Sequence, residues 1–254
     1  MLHINALVIK DRLGPISGEL KAGRLTLLIG PNGSGKSSLL NALAGLNLAA
    51  SSYQSGQIYL KNTCLSTLSI QQLACTRAML AQDSVLPHGL MAYELLALAA
   101  APLGGVTKAV SQSLARLEEP LGLSCLYQRP VNRLSGGEQQ RLLIASTLLQ
   151  VDPRVNQQGK ILLLDEPLAG LDWQHQLATL RLLREYAALG LIVIASLHDI
   201  NLACQYGDDI WCLAQGKLVA QGTPEVITPP LIKEVFSVTV ARLEQDGASV
   251  LVPI

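Results

Sequence analysis

The sequence has little charge and few aromatic side chains. Lys and Arg together number 19, as do Asp and Glu, so the formal net charge is zero, and aromatic residues make up 4% of the chain. Without a net positive charge, the chain has no general attraction for nucleic acid or an anionic membrane surface. No apolar run approaches the roughly 18–20 residues that a membrane-spanning helix needs. We therefore expect no nucleic-acid partner and no spanning helix.

The sequence also lacks the patterns of a disulfide framework, a structural metal site and a secretory signal. Its five cysteines are an odd number and contain no C-x-x-C pair, which is typical of reduced, buried thiols in a cytosolic protein. Residues 1–5 have no basic region ahead of an apolar core. Hydrophobic residues nevertheless make up 49% of the 254 residues. Either the core is large, or the chain buries surface against a partner.

A glycine-rich segment at 30–37 fits the phosphate-binding pattern G-x-x-x-x-G-K-[ST] at each constrained position. The apolar run 25–29 predicts a buried strand before it, and 38–44 predicts a helix after it. Such a strand, turn and helix start aim backbone N–H groups at an anion. A turn that carries a lysine by chance is disfavoured because both flanking elements are present. The predicted ATP-binding residues are Gly30, Pro31, Asn32, Gly33, Ser34, Gly35, Lys36, Ser37 and Ser38. We expect Lys36 to neutralise the β- and γ-phosphates and Ser37 to bind Mg²⁺.

A second element combines four aliphatic residues, 161–164, with Asp165 and Glu166. This pattern predicts a buried central strand that delivers two carboxylates to the carboxyl edge of a sheet, where ligands bind in open α/β folds. Two adjacent carboxylates without a function would repel each other there. We predict that Asp165 holds Mg²⁺ and that Glu166 is the general base for an attacking water molecule.

The third element is the octet Leu-Ser-Gly-Gly-Glu-Gln-Gln-Arg at 134–141. Ser135 and Glu138 have the spacing of a capping box, so an ordinary helix start is one interpretation. Gly136 and Gly137, however, lower helix propensity by about 0.5–1 kcal/mol each relative to Ala. Two glycines at a helix start do suit a phosphate that approaches bare backbone N–H groups. We favour a helix start that contacts phosphate.

Together these motifs resemble the nucleotide-binding subunits of ABC (ATP-binding cassette) proteins, over nearly the whole chain. The resemblance implies that Gln82 is a catalytic glutamine and Mg²⁺ ligand, and that His198 is a catalytic histidine that contacts the γ-phosphate. Taken alone, a glutamine after an apolar run is unremarkable, and a lone histidine after a strand is more often structural. With Glu166, these residues complete the predicted catalytic set. The implied cofactors are ATP and Mg²⁺.

The resemblance also implies a homodimer in which each subunit completes the site of the other. The octet at 134–141 resembles the ABC signature sequence and is called the signature octet below. It would contact the ATP held by the partner subunit through Ser135, Gly136, Gly137 and Gln139. Asp172, in the segment Ala-Gly-Leu-Asp at 169–172, would lie at the dimer interface. The implied fold is α/β: a P-loop NTPase (RecA-like) core with an N-terminal antiparallel β region and a helical signature subdomain. We assign residues 1–84 and 151–254 to the core and 85–150 to the helical subdomain.

Three local patterns add detail to this organisation. Apolar residues recur at helical spacing from Val110 to Leu121, in a helix that Pro120 must end or bend. Residues 57–60 predict a strand in the N-terminal β region, and 151–159 form a polar insertion. A further helix is expected to carry Trp173, Leu177 and Leu180 on one face.

One departure from the family concerns adenine. Many ABC subunits stack the base on an aromatic residue just before the P-loop strand, and the segment 10–15 contains none. Either the stacking is weaker, or the planar guanidinium of Arg12 supplies it. Nucleotide specificity is therefore less firmly predicted than phosphate binding.

The arrangement of the chain favours an importer subunit within this family. The interval from Gln82 to Ser135 is too short for the coiled coil of the DNA-repair and chromosome-organising relatives. A single separate cassette is typical of importers, where it docks under a distinct permease. In the segment 83–95, Leu86, Leu90 and Tyr93 either line the groove for that permease or belong to ordinary core packing.

The tail from Gly222 to Val240 resembles the iron-chelate and vitamin B12 import ATPases. Within that group, residues 12–19 and the insertion at 151–159 most resemble the subunits that power vitamin B12 uptake. The resemblance implies a membrane permease dimer, indirectly a periplasmic substrate-binding protein, and a location on the cytoplasmic face of the bacterial inner membrane. Alternatives are an ATPase of an iron-siderophore or haem importer and, less favoured, a soluble ATPase for cofactor assembly. An inactive binding module is disfavoured because every catalytic position is filled.

Overall fold

The computed structural model describes residues 1–46, 53–82, 84, 86–87, 89–245 and 248–254. The strands are β1 Leu2–Ile9, β2 Leu13–Leu20, β3 Arg24–Ile29, β4 Tyr53–Leu60, β5 Thr63–Cys64, β6 Arg77–Leu80, β7 Ile161–Leu164, β8 Ile192–Ser196, β9 Asp209–Ala214, β10 Lys217–Gly222, β11 Val240–Gln245 and β12 Ala248–Pro253. The helices are α1 Lys36–Leu43, α2 Ile70–Thr76, α3 Ala92–Ala100, α4 Lys108–Leu121, α5 Gly136–Val151, α6 Trp173–Ala188, α7 Ile200–Tyr206 and α8 Pro229–Phe236.

The central sheet has the strand order β10-β9-β3-β8-β7-β6 and is parallel except at β10. Strands β7 and β8 are buried at every position, and β3 is buried beyond its first residue. Apolar residues on both faces are what a parallel sheet between two layers requires. Because β3, β6, β7 and β8 are parallel, the loops that follow them meet at one edge of the sheet. This edge carries the candidate site.

The N-terminal region forms a second, antiparallel sheet of order β2-β1-β4-β5. The strand predicted at 57–60 is the second half of β4, which pairs with β1 so that Ile58 lies opposite Ile4. The buried residues of β1, β2 and β4 share one hydrophobic cluster with α1 and the face of β7 and β8 that α1 covers. The predicted α/β core with an N-terminal antiparallel region is confirmed.

Helices α3 and α4, which precede β7 in the chain, both pack against α5. In α4, Val110, Leu117 and Leu121 are buried, which confirms the predicted apolar face. Pro120 lies in the last turn, and the helix ends at Gly122, as a residue without a backbone N–H favours. The proposed boundaries of a helical subdomain at 85 and 150 stay a prediction.

The prediction that one apolar face of α6 is buried is wrong for Trp173, the first residue of the helix. Leu180 is buried and Leu177 is half-buried, but Trp173 is 75% exposed. Trp173 directly follows the N-cap Asp172, so it lies at the end of the helix, beyond the layer that covers the later turns. A helical pattern predicts which residues share a face but not how far the covering layer extends.

Two further expectations concern polarity and burial. The polar insertion at 151–159 is a packed connection: buried Asp152 accepts hydrogen bonds from Ser113 and from the backbone N–H of Arg154. All five cysteines are free thiols, but only Cys212 is buried and Cys125 is exposed, so the expected burial of the thiols is largely wrong. In the ranges described above, no helix combines the length and apolar character needed to cross a membrane.

Candidate active site

The phosphate-binding loop joins the end of β3 to the start of α1. Gly35 is the N-cap of α1 in a left-handed conformation, with φ of 102°, which favours glycine. A Cβ there would also lie 2.5 Å from Leu13 Cδ2 and 3.3 Å from the carbonyl oxygen of Arg12. The cap has no side chain to accept a hydrogen bond, so the first N–H groups of α1 stay available to an anion. The loop curls around Lys36, whose Nζ donates to the carbonyl oxygens of Gly30 at 2.8 Å and Pro31 at 3.1 Å.

Lys36 is a buried cation, with 6% of its surface exposed. Burial lowers the pKa of its amine, although the nearby carboxylates of Glu166 and Asp165 act in the opposite direction. Its hydrogen bonds go to carbonyl oxygens rather than to a carboxylate, so its charge is not neutralised by direct pairing. Such a cation beside free N–H groups favours a bound anion.

The two carboxylates after β7 are joined through Ser196, the last residue of β8. The Ser196 hydroxyl donates to Oδ1 of Asp165 at 2.6 Å and accepts from the backbone N–H of Glu166 at 2.8 Å. Asp165 is buried. Glu166 has a positive φ of 50°, a conformation that costs free energy for a residue with a side chain and is common at functional sites. The strand ends therefore fix both acids.

The Glu166 carboxylate is held on both oxygens by residues from neighbouring strand ends. Nε2 of His198 lies 2.6 Å from Oε1, and Nε2 of Gln82 donates to Oε2 at 3.2 Å. Gln82 follows β6 and His198 follows β8, so the strand order β8-β7-β6 brings these residues to the two sides of Glu166. The three predicted catalytic residues are thus one contiguous group, joined by a hydrogen bond from Gln82 and a close contact with His198.

These residues open into one cleft of about 1070 Å³. Its lining includes the predicted residues Asn32, Gly33, Ser34, Gly35, Lys36, Ser37, Ser38, Gln82, Glu166 and His198. Gly30 and Pro31 contribute through their carbonyl bonds to Lys36, and Asp165 lies beneath Glu166. Arg12 lines the same cleft, beside Asp11 and Leu13, where the sequence lacks an aromatic residue.

The signature octet does not line this cleft within the described part of the chain. Ser135 caps α5, and with Glu138 it forms a reciprocal capping box at 2.7 and 3.3 Å. Glu138 also pairs with Arg129. These contacts lower the pKa of Glu138 from 4.5 to about 2. The hydrogen bond from the backbone N–H of Ser135 is the larger cause, and the hydrogen bond from Arg129 is the second. The capping box predicted from the spacing of Ser135 and Glu138 is therefore confirmed, and the contact of this helix start with phosphate stays a prediction.

The two signature glycines have different surroundings. A Cβ on Gly137 would lie 2.7 Å from the carbonyl oxygen of Gly170, whereas one on Gly136 would meet no described atom within 4 Å. Close packing thus accounts for Gly137 but not for Gly136. Gln139 turns its amide towards its own chain and donates to the carbonyls of Val131 and Leu134. Asp172 is the N-cap of α6 and also lies outside the cleft.

Sequence reasoning assigned no role to Ser196 or Gln140. Gln140 donates through Nε2 to the carbonyl oxygens of Glu166 at 3.3 Å and Pro167 at 3.1 Å, and so ties α5 to the acidic turn. A polar residue at the end of the buried run 191–197 was a signal that could have identified Ser196. For Gln140 the sequence carries no such signal, because the direction of its side chain depends on how α5 packs.

The donor set fits Mg²⁺ bound together with a nucleotide. Among the described residues, no three His, Cys, Asp or Glu side chains cluster as a metal site. A hydroxyl (Ser37), an amide (Gln82) and one carboxylate (Asp165) are instead close to the phosphate loop. Mg²⁺ in nucleotide sites takes one or two carboxylates and completes its shell with phosphate oxygens and water.

Comparison with known proteins agrees with this geometry. A profile of the ABC transporter family matches residues 13–169. The vitamin B12 import ATP-binding protein BtuD of Citrobacter koseri is 37% identical over 253 residues, which cover 99% of this chain and 98% of that protein. The protein of the same name from Yersinia enterocolitica is 38% identical and covers 94% of this chain and 92% of its own. The structure of cbiO1 from Clostridium perfringens, part of the ABC transporter complex cbiONQ, has a TM-score of 0.71 and 26% identity over 93% of this chain and 90% of that one. The predicted ABC ATPase fold is confirmed.

Proposed function

The chain belongs to the ABC transporter family, and on that premise we propose that it is the ATP-hydrolysing motor of a bacterial importer that takes up vitamin B12 through a separate membrane permease. Identity of 37% along almost the whole length of a vitamin B12 import ATP-binding protein supports this transport role. The observation that carries the catalytic part is the convergence of Lys36, Glu166, Gln82 and His198 on one cleft.

Phosphate binding follows from the loop at the start of α1. Residues 30–38 would surround the β- and γ-phosphates with backbone N–H groups, and Lys36 would add its charge. Ser37, Gln82 and Asp165 would hold Mg²⁺, which when bound neutralises charge on the phosphate oxygens. Arg12 would stack on adenine through its guanidinium, since it lines the cleft and segment 10–15 has no aromatic residue.

Glu166 would act as the general base. Its carboxylate accepts a proton from water while the water oxygen bonds to the γ-phosphorus and the bond to the ADP oxygen breaks. His198, 2.6 Å from one carboxylate oxygen, and Gln82, which donates to the other, would hold the base in line. His198 would also contact the γ-phosphate as it enters. Ser196 supports the base indirectly, through the backbone of Glu166 and the carboxylate of Asp165.

The signature octet would serve the ATP site of a second copy in a homodimer. The open space at Gly136, where no described atom of the same chain comes near, supports an external phosphate at that helix start. Ser135 and Gly137 would contribute their N–H and hydroxyl groups to the same phosphate, and Gln139 would have to turn from its own chain to do so. Asp172, with 66% of its side chain exposed, would face the partner copy.

Permease docking would use a groove of about 690 Å³ beside β6, α3 and the insertion at 151–159. The residues predicted to line a docking groove, Leu86, Leu90 and Tyr93, do not line this one. Leu86 and Leu90 pack against the main core, while Tyr93 is exposed. Residues 83, 85 and 88 of the predicted docking segment lie outside the described ranges. Arg77 lines the groove, and its buried Nε has no hydrogen-bond partner among the described residues. Burial lowers the pKa of Arg77. Through the part of its guanidinium that lines the groove, Arg77 would offer its charge to a carboxylate of the permease.

As such a motor, the subunit would lie on the cytoplasmic face of the inner membrane, held there by the permease dimer. A periplasmic substrate-binding protein would deliver the cargo without touching this chain. No nucleic-acid partner is proposed, because the chain has zero formal net charge.

Reconstitution tests the transport role. The chain would be co-purified with the permease of the neighbouring gene and placed in vesicles with the matching periplasmic binding protein. Vitamin B12 is expected to stimulate ATP hydrolysis and to enter the vesicles, whereas the Lys36→Ala variant gives neither. Stimulation by a ferric siderophore or haem instead would overturn the cargo assignment. Co-purification with soluble assembly proteins and no permease would overturn the importer role.

A further inference from the structure

Three helices meet at His175, on the side of α6 that faces the helical region. Nδ1 of His175 lies 2.8 Å from Oδ1 of Asp172, and Nε2 lies 3.2 Å from Nη1 of Arg141. The same Nη1 donates to the carbonyl oxygens of Leu121 at 2.7 Å and Gly122 at 3.3 Å. The imidazole therefore connects the end of α4, the signature helix α5 and the N-cap of α6.

The two neighbours fix the tautomer of this histidine. A guanidinium can only donate, so the tautomer that suits both contacts has Nε2 as an acceptor, of an N–H that Nη1 shares with the carbonyl oxygens of Leu121 and Gly122. The proton of the neutral ring is then on Nδ1, where it is donated to the Asp172 carboxylate. Arg141 and Asp172 are the charged groups that contact the ring, and α4 presents only carbonyl oxygens. The ring of His175 thus connects Asp172 and Arg141 in one orientation, with Nδ1 as the donor and Nε2 as the acceptor.

Asp172 is held on one oxygen and open on the other. Oδ1 accepts both the imidazole bond and the backbone N–H of His175 at 2.9 Å. These bonds lower the pKa of Asp172, the backbone bond being the larger cause. No described residue donates to Oδ2, and the side chain is largely exposed. The carboxylate therefore has a fixed direction and a free oxygen.

We propose that His175 is a positioning residue that fixes the Asp172 carboxylate relative to the signature helix, so that a second copy of the chain meets it in one orientation. The inference rests on the proposed dimer function. Because Arg141 is part of the signature octet, the link joins the two segments that would face the partner. A shift of α5 would move Arg141, and through His175 it would change the direction of Asp172.

The link can be removed without removing the structure around it. In His175→Ala, Asp172 keeps its cap bond to the backbone N–H of residue 175, and Arg141 keeps its two carbonyl acceptors. We expect thermal stability and monomer ATP affinity to stay close to those of the parent protein. A purely structural role would lower both.

Dimerisation gives the direct test. In a Glu166→Gln background, Mg-ATP is expected to drive dimers, which analytical ultracentrifugation measures. Adding His175→Ala should weaken this dimerisation about tenfold, as expected for a lost hydrogen bond to a charged group. Without the Glu166 change, His175→Ala should lower kcat and leave KM for ATP unchanged. His3→Ala, which removes an exposed histidine paired with Glu19, is the matched control and should change neither.

Two substitutions separate the halves of the link. Asn at position 175 can place an amide N–H where Nδ1 stood, whereas Gln reaches only to the Nε2 position. If orientation of Asp172 is the function, His175→Asn should restore most of the dimerisation and His175→Gln should not. Restoration by Gln alone would mean that the Arg141 contact matters instead, and it would overturn the inference.

The remaining outcomes are also decisive. If the protein with His175→Ala dimerises as strongly as its parent, His175 does not have the proposed role, but the proposed function of the chain still stands. If the Glu166→Gln protein stays monomeric in Mg-ATP although His175 is intact, both the proposed homodimer and the role of His175 are wrong. Effects of His175→Ala and Asp172→Ala that simply add would show that the two residues act independently.

Discussion

His198 and Glu166 are in direct contact, with Nε2 of the imidazole 2.6 Å from Oε1 of the carboxylate. Gln82 donates a hydrogen bond to the other oxygen, so a protein group lies beside each oxygen of the proposed base. Each carboxylate oxygen has two lone pairs, so both can still accept a hydrogen bond from a water molecule. We infer that His198, which would contact the γ-phosphate, and Gln82 align the Glu166 carboxylate with the attacking water molecule.

The first prediction concerns the base itself. Glu166→Gln keeps the shape of the side chain and removes its basicity, so ATP binding should be retained while turnover falls about 10²-fold or more. The ATP-bound protein should then accumulate as a dimer. Steady-state hydrolysis and sedimentation check both effects. Glu185→Gln, which alters a carboxylate paired with Arg154 outside the cleft, is the control; wild-type turnover in Glu166→Gln would remove Glu166 from this role.

The second prediction uses the two signature glycines as a pair. Gly137→Ala brings a Cβ against the Gly170 carbonyl and should destabilise the monomer by about 1–3 kcal/mol. Gly136→Ala has open space and should leave stability unchanged or raise it by up to about 1 kcal/mol.

Hydrolysis distinguishes the reasons for the two glycines. Gly136→Ala should lower turnover despite a stable fold, because the added methyl group obstructs the phosphate of the partner site. Thermal denaturation and ATPase assays on both variants decide the matter. Full activity in Gly136→Ala would argue against a phosphate at that helix start.

The third prediction concerns Ser196. Ser196→Ala leaves the buried Asp165 without its hydroxyl donor and the Glu166 N–H without an acceptor. We expect a loss of about 1–3 kcal/mol in the free energy of unfolding and a fall in kcat. Ser196→Thr keeps the hydroxyl and should recover part of kcat. If Ala and Thr variants lose kcat equally, the hydroxyl bonds are not the cause.

The fourth prediction concerns adenine. Arg12→Ala should weaken ATP binding by roughly 3- to 30-fold, the range of about 0.5–2 kcal/mol for a guanidinium over a ring. Binding of inorganic triphosphate should not change, because the phosphate loop is untouched. Calorimetric titration measures both, with Lys10→Ala as the control for loss of a nearby charge. Equal weakening for ATP and triphosphate would mean that Arg12 acts on phosphate instead.

The fifth prediction concerns acid. The pKa of Glu138 lies at about 2 in the folded chain, below its usual 4.5, so ionised Glu138 stabilises the fold above pH 4.5. This contribution should diminish as the pH falls from 4.5 and be lost near 2. Glu138→Gln should therefore have a lower Tm than the parent at pH 7, with the difference shrinking below pH 4.5. A constant difference across that range would contradict the assignment.

Much of the site could be predicted from the sequence because its elements are local. The loop at 30–37 and the acids after 161–164 are contiguous segments whose chemistry follows from residue order. The apolar runs around them specify buried strands, and parallel strands bring their following loops to one edge. His198 and Gln82, far apart in the chain, were assigned only through the resemblance to ABC subunits, because neither is distinctive by itself.

Other features required the packed structure. Trp173 fits an apolar helical pattern yet lies at an uncovered helix end, and the exposure of Cys125 was not predictable from residue type. The bonds from Gln140 to the acidic turn and from His175 to Arg141 join helices that are distant in sequence. Their existence depends on the rotation and depth of each helix against the sheet.

The residue order alone determined that this chain binds phosphate, holds two acids at a strand end and belongs among the ABC proteins. Tertiary structure alone decided that Glu166 is held from both sides and that Gly136 is open while Gly137 is packed. The physical reason is the range of the forces involved. Backbone geometry and hydrophobic periodicity act over a few neighbouring residues, whereas side-chain contacts between elements depend on how whole helices and strands pack.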